Sequence, residues 1–319
     1  MTGVQTWCSS DLAAGIGRLD ESLRQRHAQW LASAQRPDGG FAGRQGASDP
    51  YYTSFGLRSL AMLGALTETQ ARLARGFLLK ILHQAKEGQS TPQGGLRPAD
   101  FTALVYSAVL LETLFDMNTF AEAGLQRQQA VLDHLLPLRR ADGGYAKSAR
   151  SGTSSTYQTF LAATCLELVG LPIPQPMALI DLIHTRRRHD GGFVEMGLLE
   201  RSGTNPTAAA IALLRLLGAV DEQTRQSAST MLLAMQGPEG GLRANQQIPA
   251  ADLLSSFTGL VALVDLEMAH GLDTAALARY AASLGQADGG FRSGPWDDAA
   301  DVEYTFYGLG LLGLLAAFD

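Results

Sequence analysis

The chain has 319 residues, 46% of them hydrophobic against 18% charged, with a net charge of −6. That apolar content suffices for a large buried core, and an acidic balance whose one basic cluster, Arg186-Arg187-Arg188-His189, is short and at an expected helix end excludes nucleic acid as the expected partner. Two cysteines, Cys8 and Cys165, exclude a disulfide framework and point to a reducing cytoplasm.

Residues 1–12 (MTGVQTWCSSDL) read as a non-native leader, which would leave the natural start outside the sequence, and residues 13–319 as one domain. From about Asp20 onward, Gly-Gly pairs recur at Gly39-Gly40, Gly94-Gly95, Gly143-Gly144, Gly191-Gly192, Gly240-Gly241 and Gly289-Gly290, spaced by 55, 49, 48, 49 and 49 residues. A fixed period near 49 marks a repeat architecture. Each pair follows an acid or Gln and precedes an aromatic residue or Leu, as in Asp38-Gly-Gly-Phe41 and Glu239-Gly-Gly-Leu242. Every repeat holds two helices. In chain order the pattern predicts pairs over 21–36 and 53–66, 70–86 and 101–115, 122–140 and 156–171, 177–188 and 207–220, 224–236 and 253–267, and 274–286 and 303–317. The first helix of each pair is amphipathic and charged, whereas the second is apolar all round, the pattern of a buried helix. Six such hairpins predict an all-α (α/α)6 barrel, or α-α toroid, with an inner and an outer ring of helices about a central cavity. Gly-Gly is expected to end each outer helix as a left-handed C-cap, and the following aromatic or Leu to plug the layer between repeats. No run reaches 18 apolar residues, so no membrane span is expected, and no charged segment leads into an apolar one as in a signal peptide.

Two segments carry a family resemblance: 30–64 (WLASAQRPDGGFAGRQGASDPYYTSFGLRSLAMLG) and 240–263 (GGLRANQQIPAADLLSSFTGLVAL). They resemble the repeats of protein prenyltransferase β subunits and of squalene-hopene and other class II terpene cyclases, and the resemblance extends from Asp20 to Asp319. It implies an apolar, aromatic-lined cavity that receives a polyprenyl or terpenoid molecule. The prenyltransferase branch further implies an α-subunit-like protein partner. That branch holds zinc with an Asp and a Cys two residues apart opening the fifth inner helix, and a His opening the sixth. Here Asp252 matches the Asp, but Leu254 and Tyr304 stand at the other two positions. One carboxylate does not hold zinc, so neither metal nor other cofactor is expected. Asn245, Gln246 and Gln247 occupy the loop where that branch carries its basic diphosphate ligands.

The cyclase branch protonates an alkene or epoxide with an Asp of a DxDD motif. Ala300-Asp301-Val302-Glu303-Tyr304-Thr305 resembles that motif, with Glu303 at the donor position, Asp301 as its partner and Tyr304 replacing the last Asp. Such a donor must be neutral, which an apolar pocket favours. The expectation is acid-initiated cyclisation by Glu303 and Asp301. The alternative is a non-catalytic, zinc-less β-like subunit that binds an isoprenoid or a partner protein. A carboxylate glycosidase is a third reading, but no acid pair stands beside a Trp platform, since the Trp residues are Trp7, Trp30 and Trp296.

The remaining candidates each have a structural reading beside the functional one. Asp49, Asp100, Asp252 and Asp301 precede inner helices, where Asp is a favoured N-cap, and Glu303 suits the helix dipole. Asp49 and Asp252 are also candidate substrate contacts. Aromatics cluster at the inner-helix tops (Tyr51, Tyr52, Phe101, Tyr106, Tyr157, Phe160, Phe257, Tyr304, Phe306 and Tyr307). Of these, Tyr52, Tyr157, Tyr304 and Phe306 are expected to line the cavity, where ring faces stabilise a carbocation. Arg44, Arg97, Lys147, Arg243 and Arg292 follow the Gly-Gly turns, and Arg243 and Arg292 are candidate anion contacts at the mouth. Asp297-Asp298-Ala299-Ala300-Asp301 spells DDxxD, but in a loop and without a second acidic motif. Cys165 reads as a packed thiol.

Overall fold

The computed structural model describes residues 10–87 and 96–318, so the Gly94-Gly95 pair, Trp7 and Cys8 lie outside the described residues. After α1 (Ser10–Arg18) come the outer helices α2 (Glu21–Ala34), α4 (Glu68–Lys86), α7 (Arg127–Leu135), α9 (Pro176–Thr185), α11 (Glu222–Leu233) and α13 (Thr274–Ser283). They alternate with the inner helices α3 (Pro50–Met62), α5 (Pro98–Phe115), α8 (Thr156–Leu168), α10 (Thr204–Leu216), α12 (Leu253–Asp265) and α14 (Val302–Phe318). The inner helices touch in the cyclic order α3, α5, α8, α10, α12, α14 and back to α3, so the ring is closed. The fold is the α-α toroid that the repeat predicts. Among the described residues, α5 is the one helix long and apolar enough to cross a membrane, and half of it is buried in the ring.

Helix starts follow local chemistry. Asp49, Ser155 and Asp252 accept the N–H groups of Tyr52, Gln158 and Ser255 at the tops of α3, α8 and α12, satisfying donors that the helix leaves orphaned. Helices α3, α5 and α10 begin three residues before the predicted 53, 101 and 207. Pro50 and Pro98 are tolerated there because a first-turn N–H has no intrahelical acceptor. The third outer helix is not continuous over 122–140 as predicted. Gly124, at φ +66°, closes the short α6 (Thr119–Glu122), and Pro137 turns the end of α7 into a 3-10 segment, Leu136–Leu138.

The Gly-Gly pairs also act differently from expectation. Helix α2 stops at Ala34, and the pair forms the tip of a separate tight turn, with Gly39 N–H donating to Arg36 O and Arg36 N–H to Gly40 O, both at 2.9 Å. Gly39 has φ +88°, and a Cβ there would collide with the Leu73 carbonyl on the next outer helix. Gly191 and Gly240 press likewise on α11 and α13, while Gly289 presses on Trp30 of α2, so the sixth turn docks on the first outer helix. The preceding acids tie the turn: Asp38, Asp142 and Asp190 accept from Gly40, Gly144 and Gly192 N–H and from Ser48, Ser154 and Ser202 hydroxyls.

The residues after the pairs are plugs, as predicted. Phe41, Tyr145, Phe193, Leu242 and Phe291 are buried, and their N–H groups donate to Thr53, Thr159, Thr207, Ser256 and Thr305 on the inner helices. At the closing seam His27 stacks on Phe291 at 4.6 Å and accepts the Gly290 N–H at 2.9 Å. Arg44 spans the same seam to Asp297 and Asp301.

Candidate functional site

A central cavity of about 490 Å³ opens inside the inner ring, within the range of small-molecule sites. Its wall is built in layers. Each inner helix presents its second residue: Tyr51, Ala99, Tyr157, Asn205, Leu254 and Glu303. One turn deeper stand the fifth and sixth residues, among them Phe55, Thr102, Phe160, Ala208, Phe257, Phe306 and Tyr307. Below them lie the ninth residues Arg58, Tyr106, Thr164, Ala212 and Val261, and finally Asp265 at the end of α12. This i, i+3/i+4, i+7 spacing is one helix face repeated around the ring.

Glu303 is the acid of the top layer. Its Oε1 accepts the Tyr51 hydroxyl at 2.7 Å and the Tyr307 hydroxyl at 3.3 Å. Burial pushes its carboxyl above the usual range, Asp301 and Asp49 add to that, and the two phenol bonds oppose it. Tyr157 is pushed up to about 12, first by burial and then by Glu303 and Glu195, so its hydroxyl stays protonated. Glu195, in the loop after the fourth Gly-Gly turn, lies at the top of α8, where it accepts from the Ser155 hydroxyl and the Tyr157 N–H. Burial raises its carboxyl too. At the cavity floor Asp265 is paired with Arg215. Arg58 stacks its guanidinium over Phe306 at 4.1 Å, Tyr106 at 4.7 Å and Phe55 at 5.6 Å.

Of the residues singled out from sequence, Glu303, Tyr157 and Phe306 line the cavity. Tyr52 and Tyr304 are third residues of α3 and α14, one position and ~100° around the helix from the lining face. Asp49 and Asp252 cap α3 and α12. Asp301 accepts the Tyr304 N–H and the Arg44 guanidinium, so hydrogen bonds from Tyr51 and Tyr307, not from Asp301, hold Glu303. Arg243 reaches back to the Ala234 and Met235 carbonyls just past the end of α11, and Arg292 to the Ser283 carbonyl of α13 and the Asp297 carbonyl. In the DDxxD loop, burial alone would raise Asp297, but the donors Arg44 and Ser293 hold it well below the usual carboxylate range. Among the described residues no three His, Cys, Asp or Glu side chains gather as a metal site. Cys165 is a buried free thiol beside Thr102, pushed up to about 12 by burial.

Sequence reasoning passed over Arg58, Glu195 and Asp265, and noted Tyr51 and Tyr307 only among the aromatics. The register counted from the true helix starts was the signal that would have found Tyr51 and Arg58. Glu195 is in a loop and carries no such signal.

The family model described as the prenyltransferase alpha-alpha toroid domain matches residues 4–193 and 45–319. Among solved structures, the chain is similar to Candida albicans protein geranylgeranyltransferase-I complexed with GGPP, at 17% identity over 92% of this chain and 91% of that one, with a TM-score of 0.72. It is similar to the type II terpene cyclase MstE from Scytonema, at 15% identity over 96% and 98% with a TM-score of 0.61. A glycosidase variant is similar at 12% identity over 97% and 98%, with a TM-score of 0.59. At these identities the likeness is one of fold. Comparison with curated protein sequences gave no match. The chain belongs to the prenyltransferase alpha-alpha toroid family.

Proposed function

We propose that this family member binds an isoprenoid or terpenoid molecule in its central cavity and isomerises or cyclises it by protonating a carbon–carbon double bond, with Glu303 as the acid. The observation that carries the reading is a carboxyl raised by burial, held by two phenols in an aromatic cavity. Protonated Glu303 transfers its proton to one alkene carbon and the π pair forms the new C–H bond. The tertiary cation at the other carbon faces Tyr51, Phe55, Phe257, Phe306 and Tyr307, whose ring faces favour positive charge. Attack by a further double bond and loss of a proton close the sequence without any redox change. Asp301 acts on Glu303 through its charge, which favours the protonated donor. Tyr157 and Phe306 contact the chain. Tyr52, Tyr304, Asp49, Asp252, Arg243 and Arg292 support the cavity mouth from the helix tops and turns.

A second reading has its own observation. The hydroxyls of Tyr51 and Tyr307 both donate to Oε1, which favours the carboxylate over the acid. In that reading the toroid binds an isoprenoid without turning it over, in the cytoplasm, and meets an α-subunit-like partner. Incubation of the purified protein with farnesyl diphosphate, geranylgeranyl diphosphate and squalene, followed by mass spectrometry, separates the two. A cyclised product that disappears in Glu303→Gln supports acid catalysis, whereas retention of ligand without product from either protein supports the binding reading.

A further inference from the structure

The cavity contains a charge that acid-initiated chemistry does not use. Arg58 stands in the third layer, seven residues beyond Tyr51 on α3, or ~10 Å along the axis. Its side chain leans back toward the helix N-terminus and reaches Phe306 in the layer above. A guanidinium is always charged and carries five in-plane N–H donors. Stacking on a ring occupies its face and leaves those edges unused. Among the described residues no side chain or carbonyl accepts from Arg58. The carboxylates around the cavity are all engaged elsewhere: Glu303 by Tyr51 and Tyr307, Glu195 by Ser155 and the Tyr157 N–H, and Asp265 by Arg215.

We propose that Arg58 is the receptor for an anionic group, a carboxylate or a phosphate, carried by the substrate itself. The inference rests on the isoprenoid reading and narrows it to an amphiphile bound with its acidic end at Arg58. Its apolar chain then rises through the aromatic layer to present a double bond at Glu303, one to two turns higher (~5–10 Å). Two physical arguments support this. The Arg58 guanidinium is half-buried and open to the cavity, where a bidentate anion makes charge-assisted hydrogen bonds that the rings do not supply. An uncompensated Arg58 also opposes any carbocation on the neighbouring Phe306 and Tyr307 rings, whereas an anion on Arg58 cancels that repulsion. The pairing therefore selects the substrate and makes the cavity tolerant of positive charge.

The test is calorimetric binding of farnesol, farnesoic acid, farnesyl monophosphate and dodecanoic acid to the wild-type chain and to Arg58→Gln, Arg58→Lys and Glu303→Gln. Wild type is expected to bind at least one anionic farnesyl probe about ten- to a hundredfold tighter than farnesol, and the tighter anion identifies the head group. Arg58→Gln is expected to lose that preference while keeping its affinity for farnesol, Arg58→Lys to regain part of it, and Glu303→Gln to keep it whole. Equal affinity of wild type for farnesol and both anions, or a preference that survives Arg58→Gln, overturns the proposal. If no farnesyl probe binds but dodecanoic acid does so through Arg58, the anion receptor stands and the isoprenoid reading falls.

Discussion

The two arcs of the inner ring are built to different rules. Along α12, α14 and α3 the cavity wall carries Phe257, Phe306, Tyr307, Tyr51 and Phe55, together with Glu303 and Arg58. Along α5, α8 and α10 it is mostly small, with Ala99, Ala103, Thr164, Ala208, Ala209 and Ala212, and Tyr106, Tyr157, Phe160 and Leu161 as exceptions. The arcs differ behind the wall as well. The seventh residues of α3, α12 and α14 are Gly56, Gly259 and Gly308, and the plugs Phe41, Leu242 and Phe291 rest where a Cβ would be. The corresponding residues of α5, α8 and α10 are Leu104, Ala162 and Ala210. Inward bulk and outward glycine occur in the same helices. One arc thus holds reactive groups clamped by plugs, and the other supplies room.

The largest break in that contrast is Glu303→Gln. The amide keeps an oxygen for Tyr51 and Tyr307 but has no acidic proton, so turnover of any cyclised product should fall about 10²- to 10⁴-fold with little change in binding. In wild type the rate should decline as pH rises through the elevated Glu303 pKa, because only the protonated acid donates.

Each arc also has a histidine behind it. His27 stacks on Phe291 behind α14, and His134 stacks on Phe101 of α5 at 3.8 Å. Burial lowers both from 6.5 to about 4, with Arg26 adding to the effect at His27. Between those values the unfolded chain binds the proton and the folded chain does not, so stability is full above pH 6.5 and falls as the pH drops toward 4. The loss is about 3 kcal/mol for each residue, measurable as a drop in the urea midpoint. His27→Gln should remove one share of that slope, and an unchanged slope would show that His27 is not the group being titrated.

Gly308→Ala places a Cβ 2.5 Å from the Phe291 ring and should cost about 1–3 kcal/mol. Ala210→Gly in the roomy arc should cost only about 1 kcal/mol, the ordinary helix penalty. Comparable losses from the two in thermal or urea unfolding would erase the distinction between clamped and unclamped helices.

The repeat made the rings, the closed count of six and the plugs legible, because buried helices are apolar all round and Gly-Gly punctuates every turn. The cavity face was only partly legible. Prolines at 50 and 98 hid the first turns of α3 and α5, so Tyr52 was favoured over Tyr51, although a single residue rotates a side chain ~100° about the helix. Tyr304 shares that one-residue error on α14. Asp49, Asp252 and Asp301 carry a cap reading beside a site reading in the sequence; Asp49 and Asp252 cap their helices, and Asp301 caps α14 while also accepting from Arg44. Arg58 shares the register of Tyr51 seven residues earlier, but only the closed ring brings Phe55, Tyr106 and Phe306 around it.

The smallest expected effect sharpens the comparison from the roomy side. Ala212 stands in the third layer of α10, level with Arg58 and beside Thr164 of α8, in the arc whose lining is mostly small. Ala212→Phe would fill part of the 490 Å³ with a ring. It would not touch Glu303 two layers higher, so the chemistry is unchanged and only the length of chain accommodated is reduced. Affinity for a C20 isoprenoid should drop about tenfold relative to a C15 analogue, since apolar pockets discriminate by 10- to 200-fold per small increment of bulk. The reverse change, Phe306→Ala on the opposite arc, should enlarge the cavity and weaken both chain lengths together, because it removes a ring that packs on Arg58, Phe55 and Phe257. A loss of length selectivity from Phe306→Ala, and none from Ala212→Phe, would reverse the assignment of room and reactivity to the two arcs.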